Sequence, residues 1–404
     1  MAADAPLAGV KVLDLSRVLA GPWATQLLAD LGADVIKIER PVTGDDTRSW
    51  GPPYLQAEGA GAESAYFLSA NRGKRSVCID LTQTAGADLI RRLAQQSDVL
   101  IENFKVGGLE RYGLDYASLA RLNPRLIYCS ITGFGQDGPY ADRMGYDFVI
   151  QGLGGLMSVT GEPGGQPLKA GVALADIMTG LYASNAIMAA LMARESTNLG
   201  QHIDMALLDV QVAVMANQAL NYLAGGVSPR PLGNAHPNIV PYQSFHTADD
   251  DITIAAGNDG QFRALCHAIG RRDLTEDARF ATNSGRVAHR ADLTGVLQET
   301  LSLRGAEDVL VALARAGVPS GRINTMAQVF EDPQVLHRNL AIRSPHATLG
   351  DAPGVDCPIR MSSSPIGAVL GPPILGEHTR AVLTERLGLT EAAIDALFAD
   401  KVVD

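Results

Sequence analysis

At residue 176 an aspartate ends the apolar stretch KAGVALA (169–175) and opens a long helical pattern, IMTGLY and onward. An acid at such a point can cap the helix by accepting a hydrogen bond from an unpaired backbone N–H. It can also act as a nucleophile, kept ionised at neutral pH by the helix N-terminus and nearby amides. Periodicity alone leaves both readings open for Asp176.

Two other segments carry reactive side chains. Residues 44–53 (GDDTRSWGPP) gather two acids, an arginine, a tryptophan and paired prolines in one non-helical stretch. This is either a surface loop in which Asp45 and Asp46 cap turns, or a loop that serves a site. Residues 71–75 (NRGKR) set three cations around a glycine just ahead of a strand-like run. They form either a solvated face or a backbone turn open to an anion, phosphate being the obvious one. Basic residues also follow other predicted strands, at Lys37 and Arg40 and at Lys105 and Arg111, where a few of them could line one pocket.

Several chemistries are disfavoured. His267 follows Cys266, but no second pair at ligand spacing accompanies them, so no metal site is expected. Neither a nucleophile-elbow GxSxG nor a Walker loop is present. The opening strand, helix and strand invite a dinucleotide-binding reading, yet the turn between them is SRVLAGPWATQ (16–26). There Gly21 is followed by Pro22, where that fingerprint needs three glycines for close approach to a pyrophosphate. Glu39, which would stand for the ribose-binding acid, is followed at once by Arg40.

These residues need a scaffold of some size. A chain of 404 residues, 46% hydrophobic and 19% charged, can bury a large core and suggests two domains. A formal charge of −11 argues against nucleic-acid or anionic-membrane partners, while leaving room for an anionic small molecule. Cys78, Cys129, Cys266 and Cys357 are far apart and form no CxxC pair, so buried thiols in a reducing cytoplasm are expected. The N-terminus lacks a basic stretch followed by an apolar one, and no uninterrupted apolar run reaches eighteen residues. A secretory signal and a membrane span are therefore not expected.

From residue 9 onward, short β-branched runs alternate with helical stretches, as in βαβ units around a parallel sheet. Strands are predicted at 10–15, 35–39, 76–81, 98–102 and 126–131, with a further strand-like stretch at 202–204. Helices are predicted at 22–31, 85–96, 177–195 and 206–224. The expected fold is α/β, with a large domain begun by 1–224, a Gly- and Pro-rich linker at 225–240, a smaller α+β domain at 241–322, and a segment 323–404 that returns to the large domain.

Taken together the motifs carry a family resemblance over nearly the whole chain. VLAGPWATQLLADLGADVIKIER (18–40), GDDTRSW, NRGKRS, ENFKVGGLERYG (102–113), GYDFVIQG (145–152), ADIMTGLY (175–182) and PPILGEHT (372–379) stand in an order that resembles class III CoA-transferases of the CaiB/BaiF, or formyl-CoA transferase, type. GDDTRSWGPP, GYDFVIQGLGGLMSVTG and AHPNIVPYQSF (235–245) look most like the succinate–hydroxymethylglutarate CoA-transferase branch. The resemblance implies a Rossmann-like large domain, a smaller inserted domain and a homodimer interlocked like two links of a chain. It also implies a transferase with no permanently bound cofactor, using acyl-CoA and a carboxylic acid, with succinyl-CoA as the expected donor and a dicarboxylic acid as the acceptor.

By the same resemblance Asp176 is the covalent nucleophile, and Leu19 and Ala20 lie in a loop over the thioester. Trp50, Tyr66 and Tyr146 surround the reacting group, and Arg40, Asn71, Arg72, Lys74, Arg75, Asn103, Phe104 and Arg111 contact CoA. Met144 and Asp147 belong to a further CoA-contacting segment. A dicarboxylic acceptor calls for a cation at its distal end, and Arg48 or His236 is the expected partner.

Two departures narrow the reading. Formyl-CoA transferases carry Gln where this chain has Leu19, and a glycine-run loop of which only residues 233–242 and 257–261 offer a trace here. Related acyl-CoA racemases carry His ahead of the Asp in the GYDF segment, where this chain has Tyr146, a phenol and so a poor proton shuttle near neutral pH. α-Methylacyl-CoA racemase is accordingly the alternative activity.

Overall fold

Alternation along each strand builds a two-sided sheet. In β1 (Lys11–Asp14) Leu13 joins one buried cluster and Val12 the other, and in β2 (Asp34–Glu39) Ile36 and Ile38 face opposite to Val35. The same holds along β4 (Val99–Glu102) and β5 (Ile127–Thr132), and the edge strands β3 (Lys74–Cys78) and β6 (His202–Ala206) complete the sheet. All six strands are parallel and lie in the order β3-β2-β1-β4-β5-β6. This is the doubly wound order, whose direction reverses between β1 and β4. The computed structural model describes residues 4–56, 61–368 and 370–404.

Helix α1 (Ala20–Asp30) and the long α3 (Leu174–Thr197) cover one face, through Ala24, Leu28, Ala183 and Ile187. The other face packs against α2 (Thr84–Gln95) and two C-terminal helices, α4 (Thr379–Leu387) and α5 (Glu391–Ala399), through Leu89, Ile90, Val382 and Ile394. The chain end pairs back on the sheet, where Val403 bridges Ile79. By length and composition α3 could cross a membrane, but its small-residue stripe packs on α1. A Cβ added at Gly180 would lie 2.7 Å from the Ala20 carbonyl oxygen, so the close crossing requires glycine there.

Contacts divide the chain into two units. The larger comprises Met1–Leu156, Lys169–Leu223 and Gln334–Asp404, and the smaller Met157–Leu168 and Ala224–Pro333. The smaller unit is built on an antiparallel sheet of Tyr242–His246, Asp251–Ala255 and Ser320–Arg322, with helices around a core that includes Phe245, Phe262 and Leu297. It therefore takes in residues 225–240, read above as a linker, and draws in 157–168, where Gly233 N–H donates to the Gly161 carbonyl at 2.9 Å.

Three local differences from the sequence reading have identifiable causes. Strand β3 starts at Lys74 rather than residue 76, because both of its cations are neutralised: Lys74 by Asp14 at 3.2 Å and Arg75 by Asp34 at 2.7 Å. The helix expected over 206–224 is two, Leu207–Ala213 and Ala216–Gly225, separated where Ala216 takes a φ of +43°. Helix α3 begins at Leu174, so Asp176 lies inside its first turn and does not cap it.

Candidate active site

The reversal of strand order leaves a crevice beyond the carboxyl ends of β1 and β4, the place where doubly wound sheets bind ligands. One residue ties its two lips together. Asn103, just after β4, accepts from Arg17 N–H at 2.9 Å and returns its amide to the Arg17 carbonyl at 2.7 Å. The next residue, Val18, has a φ of +71°, a strained conformation for a β-branched side chain, and its N–H donates to Asp45 at 3.2 Å.

Asp45 is held by a buried ionic layer. Lys37 reaches it at 2.9 Å and also donates to the Ser16 carbonyl at 2.8 Å. Burial opposes both charges, yet Lys37 brings the Asp45 carboxyl down to about 2, and Asp45 raises the lysine. Beside them Asp14 accepts from Thr25 at 2.6 Å and from Lys74 at 3.2 Å. Lys74 also donates to the Pro22 carbonyl and to Asn71, each at 2.9 Å, and burial pushes it down to about 8. This layer fixes the turn from β1 into α1. A Cβ at Gly21 would stand 2.2 Å from Ser16 Oγ, which explains the glycine of the LAGP motif.

Two cavities open at the crevice. One of 980 Å³ is lined by Arg40, Asp80, Phe104, Lys105, Arg111 and Tyr112 among others. The second, of 520 Å³, contains Asp176 together with Leu19, Ala20, Trp50, Asn103, Arg143, Met144 and Tyr146. Arg17, Phe104, Lys105 and Val106 line both, so the two share one wall.

Asp176 is half-buried in the first turn of α3. Its carboxyl is raised to about 7, by burial first and by the Asp147 carboxylate second. Asp147 does the capping: its Oδ1 accepts from Ala175 N–H at 2.8 Å and from Asp176 N–H at 3.4 Å, while Oδ2 accepts from Gln151 at 2.7 Å. Tyr66 packs edge-on against Trp50 with ring centroids 5.2 Å apart. Burial and then Asp176 raise its phenol, which keeps it a hydrogen-bond donor. The site thus offers a carboxylate that ionises near neutral pH, an aromatic wall and a hydroxyl donor.

The residues singled out from sequence divide into three groups. Leu19, Ala20, Trp50, Asn103, Phe104, Met144 and Tyr146 line the cavity of Asp176, with Tyr66 behind Trp50 and Asp147 beneath the helix start. Arg40 and Arg111 line the larger cavity with exposed side chains. Asn71, Arg72, Lys74, Arg75 and Arg48 make their contacts inside the protein. Asn71 receives Lys74, Arg72 pairs with Asp30 at 2.6 Å, Arg75 with Asp34 and Glu385, and Arg48 makes two 2.7 Å hydrogen bonds to Glu39. His236 belongs to the smaller unit, where its ring lies against Tyr242 and its Nδ1 accepts from Asn238 N–H.

Sequence reasoning missed Arg17 and Arg143 as lining residues, and Glu102, whereas Lys105, one of the basic residues expected to line a pocket, does so. Burial raises Glu102 to about 7 although it accepts from Phe104 N–H at 2.7 Å. The ENFK motif marked its neighbourhood, but nothing in the sequence marked Arg143.

Known proteins are similar to this chain over nearly its whole length. A model described as CoA-transferase family III matches residues 7–379. The succinate–glutarate CoA-transferase of Agrobacterium fabrum is 53% identical over 381 residues, 94% of this chain and 95% of that protein. The succinyl-CoA:glutarate CoA-transferase of Homo sapiens is 44% identical over 399 residues, 99% of this chain and 90% of that protein. A CAIB/BAIF family protein from Brucella suis, solved by crystallography, is similar in fold with a TM-score of 0.84 at 54% identity, covering 95% of this chain and 100% of that one.

Proposed function

The chain belongs to CoA-transferase family III and is an enzyme of that kind, and on that footing we propose that it moves CoA from succinyl-CoA to a dicarboxylic acid such as glutarate, with Asp176 as the covalent nucleophile. The observation that carries this reading is the half-buried Asp176 carboxyl, tuned to about 7 and standing in a 520 Å³ cavity that shares a wall with a larger, cation-lined one. The names of the relatives supply the acids.

Exchange of one thioester for another is nearly thermoneutral, so the chemistry needs a way to keep the acyl group activated while the acids change places. Ionised Asp176 attacks the thioester carbonyl of succinyl-CoA, forming an aspartyl–succinyl anhydride and expelling the CoA thiolate. The thiolate attacks the aspartyl carbonyl of that anhydride, giving an aspartyl-CoA thioester and free succinate. A carboxylate of glutarate then attacks the aspartyl-CoA thioester, and the thiolate, released again, attacks the glutaryl carbonyl. Glutaryl-CoA leaves and Asp176 is regenerated.

We assign the phosphates of CoA to the larger cavity, lined by Arg40, Lys105 and Arg111, of which Arg40 also lies near the Asp80 carboxylate. We also assign Tyr66, whose phenol feels the Asp176 carboxylate, as a donor to the oxyanion formed beside it. Reactive anhydrides demand exclusion of water, and Trp50 is the apolar wall that serves this. The interlocked dimer would cover exposed apolar side chains such as Met192, Leu220 and Leu223, which are 77%, 59% and 73% exposed. The four cysteines are free and buried, which suits a cytoplasmic setting.

The test is direct: purified protein, succinyl-CoA and a panel of dicarboxylates, with mass detection of new acyl-CoA esters. Glutaryl-CoA should form, and should not form with Asp176→Ala. Absence of any new ester across the panel, or undiminished turnover in that variant, defeats the reading.

A further inference from the structure

A diacid substrate presents one carboxylate to the chemistry and a second, charged end that the same cavity must accommodate. Removing that charge from water is costly unless a cation meets it. Three cationic side chains line the cavity of Asp176: Arg17, Lys105 and Arg143. Arg17 is already paired, with Asp46 at 2.9 Å. Lys105 lies on the wall shared with the larger cavity, where the CoA phosphates assigned to that cavity would compete for it. Arg143 lines the smaller cavity alone, and no carboxylate among the described residues pairs with it.

Its surroundings hold it without neutralising it. The guanidinium carbon lies 4.4 Å from the ring centroid of Tyr140 and 5.4 Å from that of Phe134. Contact with aromatic rings restrains the plane of the group while leaving its edge N–H donors available, which is the arrangement that suits bidentate capture of a carboxylate. Arg48, expected from sequence for this task, is instead closed off by its two 2.7 Å bonds to Glu39 and by Glu63 at 3.7 Å.

We infer that Arg143 binds the distal carboxylate of the diacid and sets the preference of the enzyme for diacids over monoacids. The inference rests on the transferase reading given above. The same guanidinium could instead meet a phosphate of CoA, so the anion must be identified by removing one or the other.

The experiment compares glutarate with pentanoate as acceptors, and succinyl-CoA with butyryl-CoA as donors, in wild type, Arg143→Lys and Arg143→Gln. Each pair differs only in the distal carboxylate. In Arg143→Gln the ratio of kcat/KM for glutarate over pentanoate should fall about 10- to 100-fold, the loss expected for one charge-assisted hydrogen-bonded contact. The succinyl-CoA to butyryl-CoA ratio should fall likewise, and Arg143→Lys should recover part of each. Unchanged ratios overturn the inference, whether or not all rates decline. An equal rise in KM for both acyl-CoA donors assigns the side chain to CoA phosphate and overturns it as well. Wild-type protein that makes no glutaryl-CoA at all refutes the transferase reading itself, an outcome separate from a wild type that works and a variant that keeps its preference.

Discussion

Asp147 Oδ1 accepts from the backbone N–H of Ala175 at 2.8 Å and lies 3.4 Å from that of Asp176, so the residue that closes the start of α3 also places a negative charge beside Asp176. One carboxylate shapes the helix end and raises the pKa of the other, opposing its ionisation. The helix N-terminus alone would favour a carboxylate. Burial and Asp147 outweigh it, and the nucleophile sits near neutrality.

This relationship predicts a pH profile. With its carboxyl raised to about 7, Asp176 carries a proton at low pH and cannot attack. The kcat/KM for CoA transfer should therefore climb about tenfold per pH unit below 7 and level off above it. Asp147→Asn keeps an oxygen to accept from Ala175 but removes the charge, so the acid limb should move to lower pH. Burial, the larger cause, remains, and the limb should stop short of an ordinary aspartate. An acid limb unmoved in this variant contradicts the assignment.

Stability should respond in the opposite sense to activity. The folded-state pKa of Asp176 lies above its ordinary 3.8, so between about 4 and about 7 the folded protein holds a proton that the unfolded chain has released. Its contribution to stability is greatest at low pH and is lost as pH rises through 7. Asp176→Asn should abolish transfer, match wild type in Tm near pH 4 and exceed it at pH 8. Glu102, also raised to about 7, gives the same slope and stays in the variant, so only part of the decline should vanish. Thermal melts of the ligand-free protein across that range decide the matter. A lower Tm at pH 8 in Asp176→Asn refutes it.

The basic residues of the crevice should separate into two classes. Lys74→Ala leaves Asp14 buried without the cation it pairs with, Lys37 acting from further off, and loss of one member of such a pair costs about 3–5 kcal/mol. It should be seen as a fall in urea midpoint. Arg111→Gln and Arg40→Gln touch exposed side chains of the larger cavity and should leave stability within about 0.5 kcal/mol. They should weaken acyl-CoA binding and reduce its dependence on salt. A stable Lys74→Ala protein that binds acyl-CoA poorly would reverse the division.

That division marks where sequence reading stops. Runs such as VKVLDL and VIKIE reveal strands because alternation is local, and the order of motifs places Asp176, Trp50 and Tyr146 in one site. The cations of NRGKR could not be resolved in that way. Asp14 stands 60 residues before Lys74, and Asp30 stands 42 before Arg72, so only the folded sheet reveals that these charges are already met. Arg143 escaped notice for the converse reason. Its aromatic supports, Phe134 and Tyr140, are close in sequence, but a polar loop has no periodicity, and its lack of an acidic partner is a property of the fold.

Transferase and racemase differ in what must happen at the α-carbon. A racemase removes and returns the α-proton, which requires proton-transfer groups on both faces of the substrate and leads to exchange with D₂O when no acceptor acid is present. Among the described residues lining the cavity around Asp176 there is no histidine; Tyr146 occupies the place ahead of Asp147, and Asp147 itself is engaged by the start of α3 and by Gln151. A transferase leaves the α-carbon untouched and needs a second acid. A branched acyl-CoA such as 2-methylbutyryl-CoA, incubated with the enzyme alone in D₂O, should gain no deuterium at its α-position beyond the enzyme-free rate. Addition of glutarate should yield glutaryl-CoA from succinyl-CoA under the same conditions. Rapid enzyme-dependent deuterium uptake without any CoA exchange would turn the assignment from transferase to racemase.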